Sequence, residues 1–490
     1  MGKPGKIILL GCGILFLQGI VNISLASELI QNDLISQPGF LDGGKLSPLW
    51  AIPFLGIILS IAIFPNAMPV FWRNNYGKIA LFWSLLVLIG IGISQGAAVP
   101  IHSILSVAFE QFLPFIFLLL ALFTITGGIK LHGEHDGTPR VNLIILLIGA
   151  LLSSWLGTTG AAVLLIRPLI SANSWRKFRV HTMLFFIFIV GNIGGSLTPV
   201  GNPPLLMGFI SKIPFFWPIT KLLGPTIFTT GILLIIYFIL DFYFYRKEPN
   251  KPALRGRSKI RIEGGWNLIL LVAVIVAVLI SSMEMGLTFN IYQVPLALSE
   301  LIEILALIFI TFISLKITRA HTRVSNNFTW HPIIEVGKLF AGIFICMAPL
   351  IAMLRAGSEG PMKFIIASLS HTDGSPINGM YFWLSGCLSA FLDSAPAYLV
   401  FFHTAAAPAA AAHIAPHLYM TQTISLTLIA ITAGASFMGA ITYIGNAPNM
   451  MVKAIAEENG IKMPSFFGYM VWSVIILVPL FLLVQFLFIS

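Results

Sequence analysis

Residues 195–204 read Gly-Ser-Leu-Thr-Pro-Val-Gly-Asn-Pro-Pro, and residues 439–448 read Gly-Ala-Ile-Thr-Tyr-Ile-Gly-Asn-Ala-Pro. Both fit G-x-x-T-x-[VI]-G-N-x-P, and they lie 244 positions apart, about half the chain. Each interrupts an apolar segment of membrane length. Glycine and proline break a helix there, and threonine and asparagine add polar groups. A chain that breaks two matching helices at membrane depth is expected to build a binding site between them.

The surrounding composition makes the membrane reading firm. The 490 residues are 57% hydrophobic and only 9% charged, with a mean hydropathy of +0.93. A soluble domain carries about a quarter charged residues. The apolar runs are long enough for helices rather than barrel strands, so an all-α polytopic membrane protein of about 10–13 segments is expected. The net charge of +10 resides in loops between apolar runs, as cytoplasmic anchoring requires. It forms no basic solvated domain, so nucleic acid is not an expected partner. Cys12, Cys346 and Cys387 sit in apolar segments without metal or redox spacing and read as small core residues. No HExxH, nucleophile elbow or CxxC is present, so an enzyme is not expected.

At the N-terminus Lys3 and Lys6 precede an apolar run from Ile7 to Ile23, with Ser24 and Ala26 placed for cleavage. Residues 1–26 read as a signal peptide or an uncleaved signal anchor. Beyond it the chain divides into a first transport repeat, 49–245, a basic linker, 246–263, and a second repeat, 264–490. The linker carries Arg246, Lys247, Lys251, Arg255, Arg257, Lys259 and Arg261 and is placed in the cytoplasm. Counting helices outward puts the basic clusters around Arg73, Lys130, Arg176 and Lys316 on the same side.

Several apolar runs are too short to cross about 30 Å of hydrocarbon. Those at 141–156 and 160–172 are joined only by Gly157-Thr158-Thr159-Gly160, and those at 379–392 and 394–406 meet at Asp393. Each pair reads as a re-entrant hairpin with its tip near the midplane, tolerable only where protein or a water-filled cavity surrounds it. The first opens from the cytoplasm and the second from outside, so the repeats are inverted. The hairpin tips align at an offset of 236. The eight further residues in the motif offset fit the Ala/Pro-rich stretch around Ala405–Ala412, read as an external linker.

The candidate ion- or substrate-binding set is Thr158, Thr159, Gly160, Thr198, Gly201, Asn202, Pro204, Asp393, Ser394, Pro396, Thr442, Gly445, Asn446 and Pro448. Freed carbonyls and the Thr and Asn side chains suit a hard cation such as sodium, and half-helix N-termini suit a carboxylate. Sodium ligands are expected from Asp393, Ser394, Asn202 and Asn446. A mid-membrane carboxylate at Asp393 is costly unless paired, protonated or cation-bound. It is read either as a site for exchanging a proton and a cation or as a helix cap made with Ser394. Arg167 either balances Asp393, faces a substrate anion, or snorkels to the cytoplasmic surface. His403 reads as a proton sensor or an interfacial residue. Glu110, Glu284, Glu300, Glu303 and Glu335 read mainly as segment ends, and the His132–Asp136 cluster as a solvated turn.

These hairpin and broken-helix pairs resemble the ion transporter superfamily, which includes NhaD-type sodium/proton antiporters, arsenite permeases, citrate carriers and dicarboxylate/sodium symporters. Leu392-Asp393-Ser394-Ala395-Pro396 is similar to the D-N-x-P hairpin tip of the NhaD and arsenite-permease branch, with Ser394 for Asn. Residues 191–204 resemble that branch's G-x-x-x-T-P-I-G-D-P-P pattern, with Asn202 where Asp is common. The resemblance covers roughly residues 50–490. It implies sodium near each hairpin tip and a homodimer of scaffold and transport domains. Asn202 and Gly157 leave Asp393 as the sole acid of the four motifs. The expected function is secondary active transport by alternating access, sodium/proton antiport first, with citrate- or dicarboxylate-type anion transport as the alternative. No cofactor is expected beyond transported or coupling Na+ and H+, and a multi-pass bacterial-type inner membrane is the expected location.

Overall fold

A computed structural model of the chain describes residues 41–490 except 133–135, 250–260, 282–286, 292–293, 327, 357–359, 393 and 410–411. The signal segment, 1–26, lies outside the described residues, as does Asp393.

Three long apolar helices come first: α1 Ile52–Ala67, α2 Pro69–Gln95 and α3 Ala98–Thr126. Strand β1 Lys130–His132 leads to α4 Pro139–Leu156 and α5 Thr158–Ala172. Then come α6 Val180–Ile189, α7 Pro203–Ile210 and α8 Trp217–Arg246. The second half holds β2 Arg261–Glu263, α9 Trp266–Ser281, β3 Thr288–Ile291, β4 Val294–Ala297, α10 Leu298–Ile317, α11 Ala320–Ser325, α12 His331–Arg355 and α13 Lys363–Ser368. It ends with α14 Asn378–Leu392, α15 Ser394–Ala406, α16 Pro416–Thr423, α17 Ser425–Met438, α18 Ala447–Glu458 and α19 Phe466–Phe488. Among the described residues, eight helices are long and apolar enough to cross a membrane. This is a polytopic, nearly all-helical membrane protein.

Both expected interruptions fall where glycine and proline place them. The 180–210 run splits into α6 and α7, with non-helical backbone through Thr198 and Asn202 between them. The 420–455 run splits into α17 and α18 around Thr442 and Asn446. Helices α4 and α5 pack on each other and meet at Gly157, whose φ of 76° suits a residue without Cβ. Helices α14 and α15 also pack on each other.

Elsewhere the sequence boundaries needed correction. Helix α2 reaches back to Pro69, where hydropathy alone places its apolar run from 78, because Trp72 and Tyr76 are buried and Trp72 Nε1 donates to Glu335 at 3.2 Å. The apolar run over 294–317 is helical only from Leu298; residues 294–297 pair instead with β3. Strand β1 pairs with β2, so the segment after α3 is stitched to residues 261–263. His132 thus lies in a strand rather than a turn, and residues 133–135 of that cluster lie outside the described residues. The Ala/Pro-rich stretch is not a loose connection at its start: Ala405, Ala406, Ala407 and Ala409 are buried.

Packing sorts the helices into two groups. In one, α1 packs on α2, α2 and α1 on α12, and α3 and α9 on α10. In the other, the hairpins enclose the broken helices: α14 lies along α17, α5 against α18, and α15 against α7. Each hairpin therefore touches the break of the opposite half. The groups meet where α3 packs on α5 and α12 on α15.

Candidate functional site

The two breaks are built alike. Thr198 Oγ1 donates to the Ser154 carbonyl on the first hairpin, and Thr442 Oγ1 donates to the Ala390 carbonyl on the second. The donors are 244 positions apart and the acceptors 236, the two offsets found in the sequence. Hairpin serines repeat the theme: Ser154 Oγ donates to Gly194 O and Ser389 Oγ to Ala435 O, both at 2.6 Å. At the first tip the Thr158 amide donates to Gly201 O at 2.9 Å. These bonds hold irregular backbone inside an apolar interior, where an unpaired carbonyl would be costly.

Glycine is required at the neck of each break. A Cβ on Gly201 would stand 2.2 Å from Gly195 O, and one on Gly445 would stand 2.6 Å from Gly439 O. These four glycines let the chain double back on itself. Proline then restarts each helix, since its missing N–H falls where a helix has no acceptor anyway. Helix α7 starts with Pro203 and Pro204, and α18 with Ala447 and Pro448.

Neither motif asparagine caps its own helix. Asn446 Nδ2 instead donates to Gly191 O at 3.0 Å and Asn192 Oδ1 at 3.2 Å, in the other half. Asn202 Nδ2 reaches Ser436 O at 3.5 Å. The breaks thus cross at the centre of the molecule. Thr158, Thr198, Asn202, Thr442 and Asn446 are all buried there, with Gly160, Pro204, Gly445 and Pro448. Ser394 and Pro396 are buried at the start of α15, and Thr159 is half-buried. Asp393, the expected acid between the second hairpin's arms, lies outside the described residues.

Among the described residues the centre is neutral but polar. Asn202 Oδ1, Ser196 Oγ and Ser436 Oγ are buried without a hydrogen-bond partner among the described residues. Buried oxygens in that condition are costly, and a bound cation would satisfy them. Among the described residues no group of three or more His, Cys, Asp or Glu could hold a metal ion. Arg167 points elsewhere, with Nη1 donating to Asn326 O at 3.0 Å beyond α11.

Asn192 and Asn449 complete this centre and were not singled out in the sequence. Asn192 sits within the resembling stretch, and Asn449 directly follows the second motif. A second cluster was also missed. Arg176 Nη2 lies 2.6 Å from Asp241 Oδ1, and His181 Nε2 lies 2.8 Å from the same oxygen. Asn142 Nδ2 donates to Asp241 Oδ2 at 3.2 Å and to Asn173 Oδ1 at 2.9 Å. Glu248 accepts the amides of Lys177 and Phe178. This cluster clamps both ends of the first hairpin to α8. An ionisable Asp241 within an apolar helix was the available signal.

Comparison with known proteins agrees with this architecture. A family described as "Putative citrate transport" matches residues 43–489. The inner membrane protein YbiR of Escherichia coli is 29% identical over 143 residues, which cover 25% of this chain. The match spans about a third of that relative's own length, 35%. The chain belongs to the citrate-transport family, within the ion transporter superfamily.

Proposed function

We propose that this member of the citrate-transport family is a secondary active carrier that moves a small carboxylate, citrate or a dicarboxylate, across the inner membrane. Transport is driven by a coupled cation or proton. The membrane-transporter part follows from the family; cargo and coupling are this reading's own.

The observation that carries the cargo is the start of α18. It is a 12-residue half-helix whose first-turn Ala447 is exposed while Asn446, Pro448 and Asn449 around it are buried. An exposed helix N-terminus, with the helix dipole behind it, favours a carboxylate, and Ala447 keeps a first-turn N–H where Pro448 has none and the Asn449 amide bonds Asn446 O. Helix α7 cannot offer the same donors, because Pro203 and Pro204 remove the first two N–H groups. Its break presents oxygens instead, which suit the coupling cation. Alternating access would then come from movement of the hairpin and broken-helix group against the group formed by α1–α3, α9, α10 and α12. The two halves are read as inverted repeats and the working unit as a homodimer.

Sodium/proton antiport is the second reading, favoured by the bare oxygens of the first break. Everted and right-side-out vesicles separate the two. Labelled citrate or succinate should accumulate when a sodium or proton gradient is imposed. Sodium-induced collapse of a preformed proton gradient, with no carboxylate uptake, would establish antiport instead.

A further inference from the structure

The two breaks part company one residue beyond the shared motif. Asn449 follows the second motif, and Leu205 follows the first. Their backbones are equivalent: Asn449 N donates to Asn446 O at 3.0 Å, and Leu205 N donates to Asn202 O at 3.1 Å. Their side chains differ in kind. Asn449 Nδ2 donates to Gly439 O and to Thr442 O, each at 2.8 Å, and Asn449 Oδ1 accepts from Asn192 Nδ2 at 2.8 Å. The second break's carbonyls, the groups that would ligate a cation, therefore already face an amide donor. Leu205 has no polar atom to give the corresponding carbonyls, Gly195 O and Thr198 O.

The asymmetry extends across the crossing point. Asn446, Asn192 and Asn449 form a continuous chain of amides. Their counterparts at the same offset are Asn202, Ser436 and Leu205. That chain is truncated: Asn202 Oδ1 and Ser436 Oγ have no hydrogen-bond partner among the described residues, though Asn202 Nδ2 lies 3.5 Å from Ser436 O. Both residues are at least nine-tenths buried. Among the described residues the oxygens here are amide, hydroxyl and carbonyl oxygens, which suit a hard alkali cation.

We propose that the Asn449 amide occupies the cation position of the second half, so that each chain binds one alkali cation, at the first-half break. Asn202 Oδ1 and Ser436 Oγ supply ligands, while the Thr198 carbonyl already accepts from the Gly201 amide at 3.0 Å. This rests on reading the breaks as the ion-coupled site and narrows it from one cation per repeat to one per chain.

Equilibrium binding of radiolabelled sodium to the purified full chain in detergent, with choline as the balancing cation, tests it. Wild type should bind one sodium per chain. Ser436→Ala, and Leu205→Asn, which transplants the second-half amide, should each weaken binding at least about tenfold. Melting temperature in choline identifies any variant that fails to fold. Two bound sodium ions per chain, no binding of sodium, lithium or potassium, or unchanged affinity in a folded Ser436→Ala protein would overturn the proposal. Carboxylate uptake without sodium binding would sink this inference and leave the transport reading standing. One bound sodium without carboxylate uptake would do the reverse.

Discussion

Arg176 and Asp241 meet at 2.6 Å between Nη2 and Oδ1, with no exposed side-chain surface on either. They join the loop after the first hairpin to the far end of α8, 65 residues on, and His181 and Asn142 close on the same carboxylate. The pair fixes the hairpin's base while its tip carries the candidate site.

Asp241→Asn should therefore be destabilising, by up to about 3–5 kcal/mol, because it removes the nearer of the two carboxylates beside the buried Arg176 guanidinium and leaves only Glu248, at 3.9 Å. Thermal unfolding in detergent is the measurement. Replacing both partners, with Arg176→Met and Asp241→Leu together, should recover much of the loss. A single variant melting at the wild-type temperature would show that the clamp carries little.

Thr198→Val and Thr442→Val keep side-chain shape and remove one hydroxyl each. Both leave a buried hairpin carbonyl short of a donor, at about 1–3 kcal/mol. The two hairpin bonds match, but Thr442 Oγ1 also accepts the Ile444 and Gly445 amides at 3.2 and 3.1 Å, so both melting temperatures should fall and that of Thr442→Val should fall further. A larger drop for Thr198→Val would contradict this.

Gly201→Ala should abolish folded protein or transport, because its Cβ would meet Gly195 O at 2.2 Å. Gly231→Ala is the matched control: it lies inside α8 with nothing within 4 Å of the added carbon. There alanine should leave stability level or raise it by up to about 1 kcal/mol. Size-exclusion profiles of the two variants make the comparison.

Arg167→Ala should leave the KM for a carboxylate within about twofold of wild type, since its guanidinium reaches the Asn326 carbonyl rather than the central breaks. Initial uptake rates against concentration decide this. A KM raised tenfold or more would return Arg167 to the substrate.

Asp393→Asn should uncouple or abolish transport, because a carboxylate read from the sequence at a mid-membrane hairpin tip is costly unless protonated, paired or cation-bound. Uptake with and without an imposed gradient is the readout. Gradient-driven accumulation at the wild-type rate would remove Asp393 from the coupling step.

The hairpins and breaks were legible in the sequence because they are written in local backbone chemistry. Gly157, Gly201, Gly445, Pro204 and Pro448 set what the chain can do within a few residues, and the lengths of apolar runs set what can span a membrane. Even the pairing of the halves could be read, from two offsets that the Thr198 and Thr442 bonds repeat. Hydropathy was a poorer guide at segment ends. The start of α2 is decided by Trp72 meeting Glu335, 263 positions away.

Partnership between distant polar groups was decided by tertiary structure alone. Nothing near Asp241 announces Arg176, and nothing near Asn449 announces Asn192, 257 positions earlier. In an apolar interior a polar atom's role depends on which other polar atom the fold brings within about 3 Å. The sequence thus determined that two matching breaks exist; only the fold decided that one is filled by its own asparagines and the other presents bare oxygens.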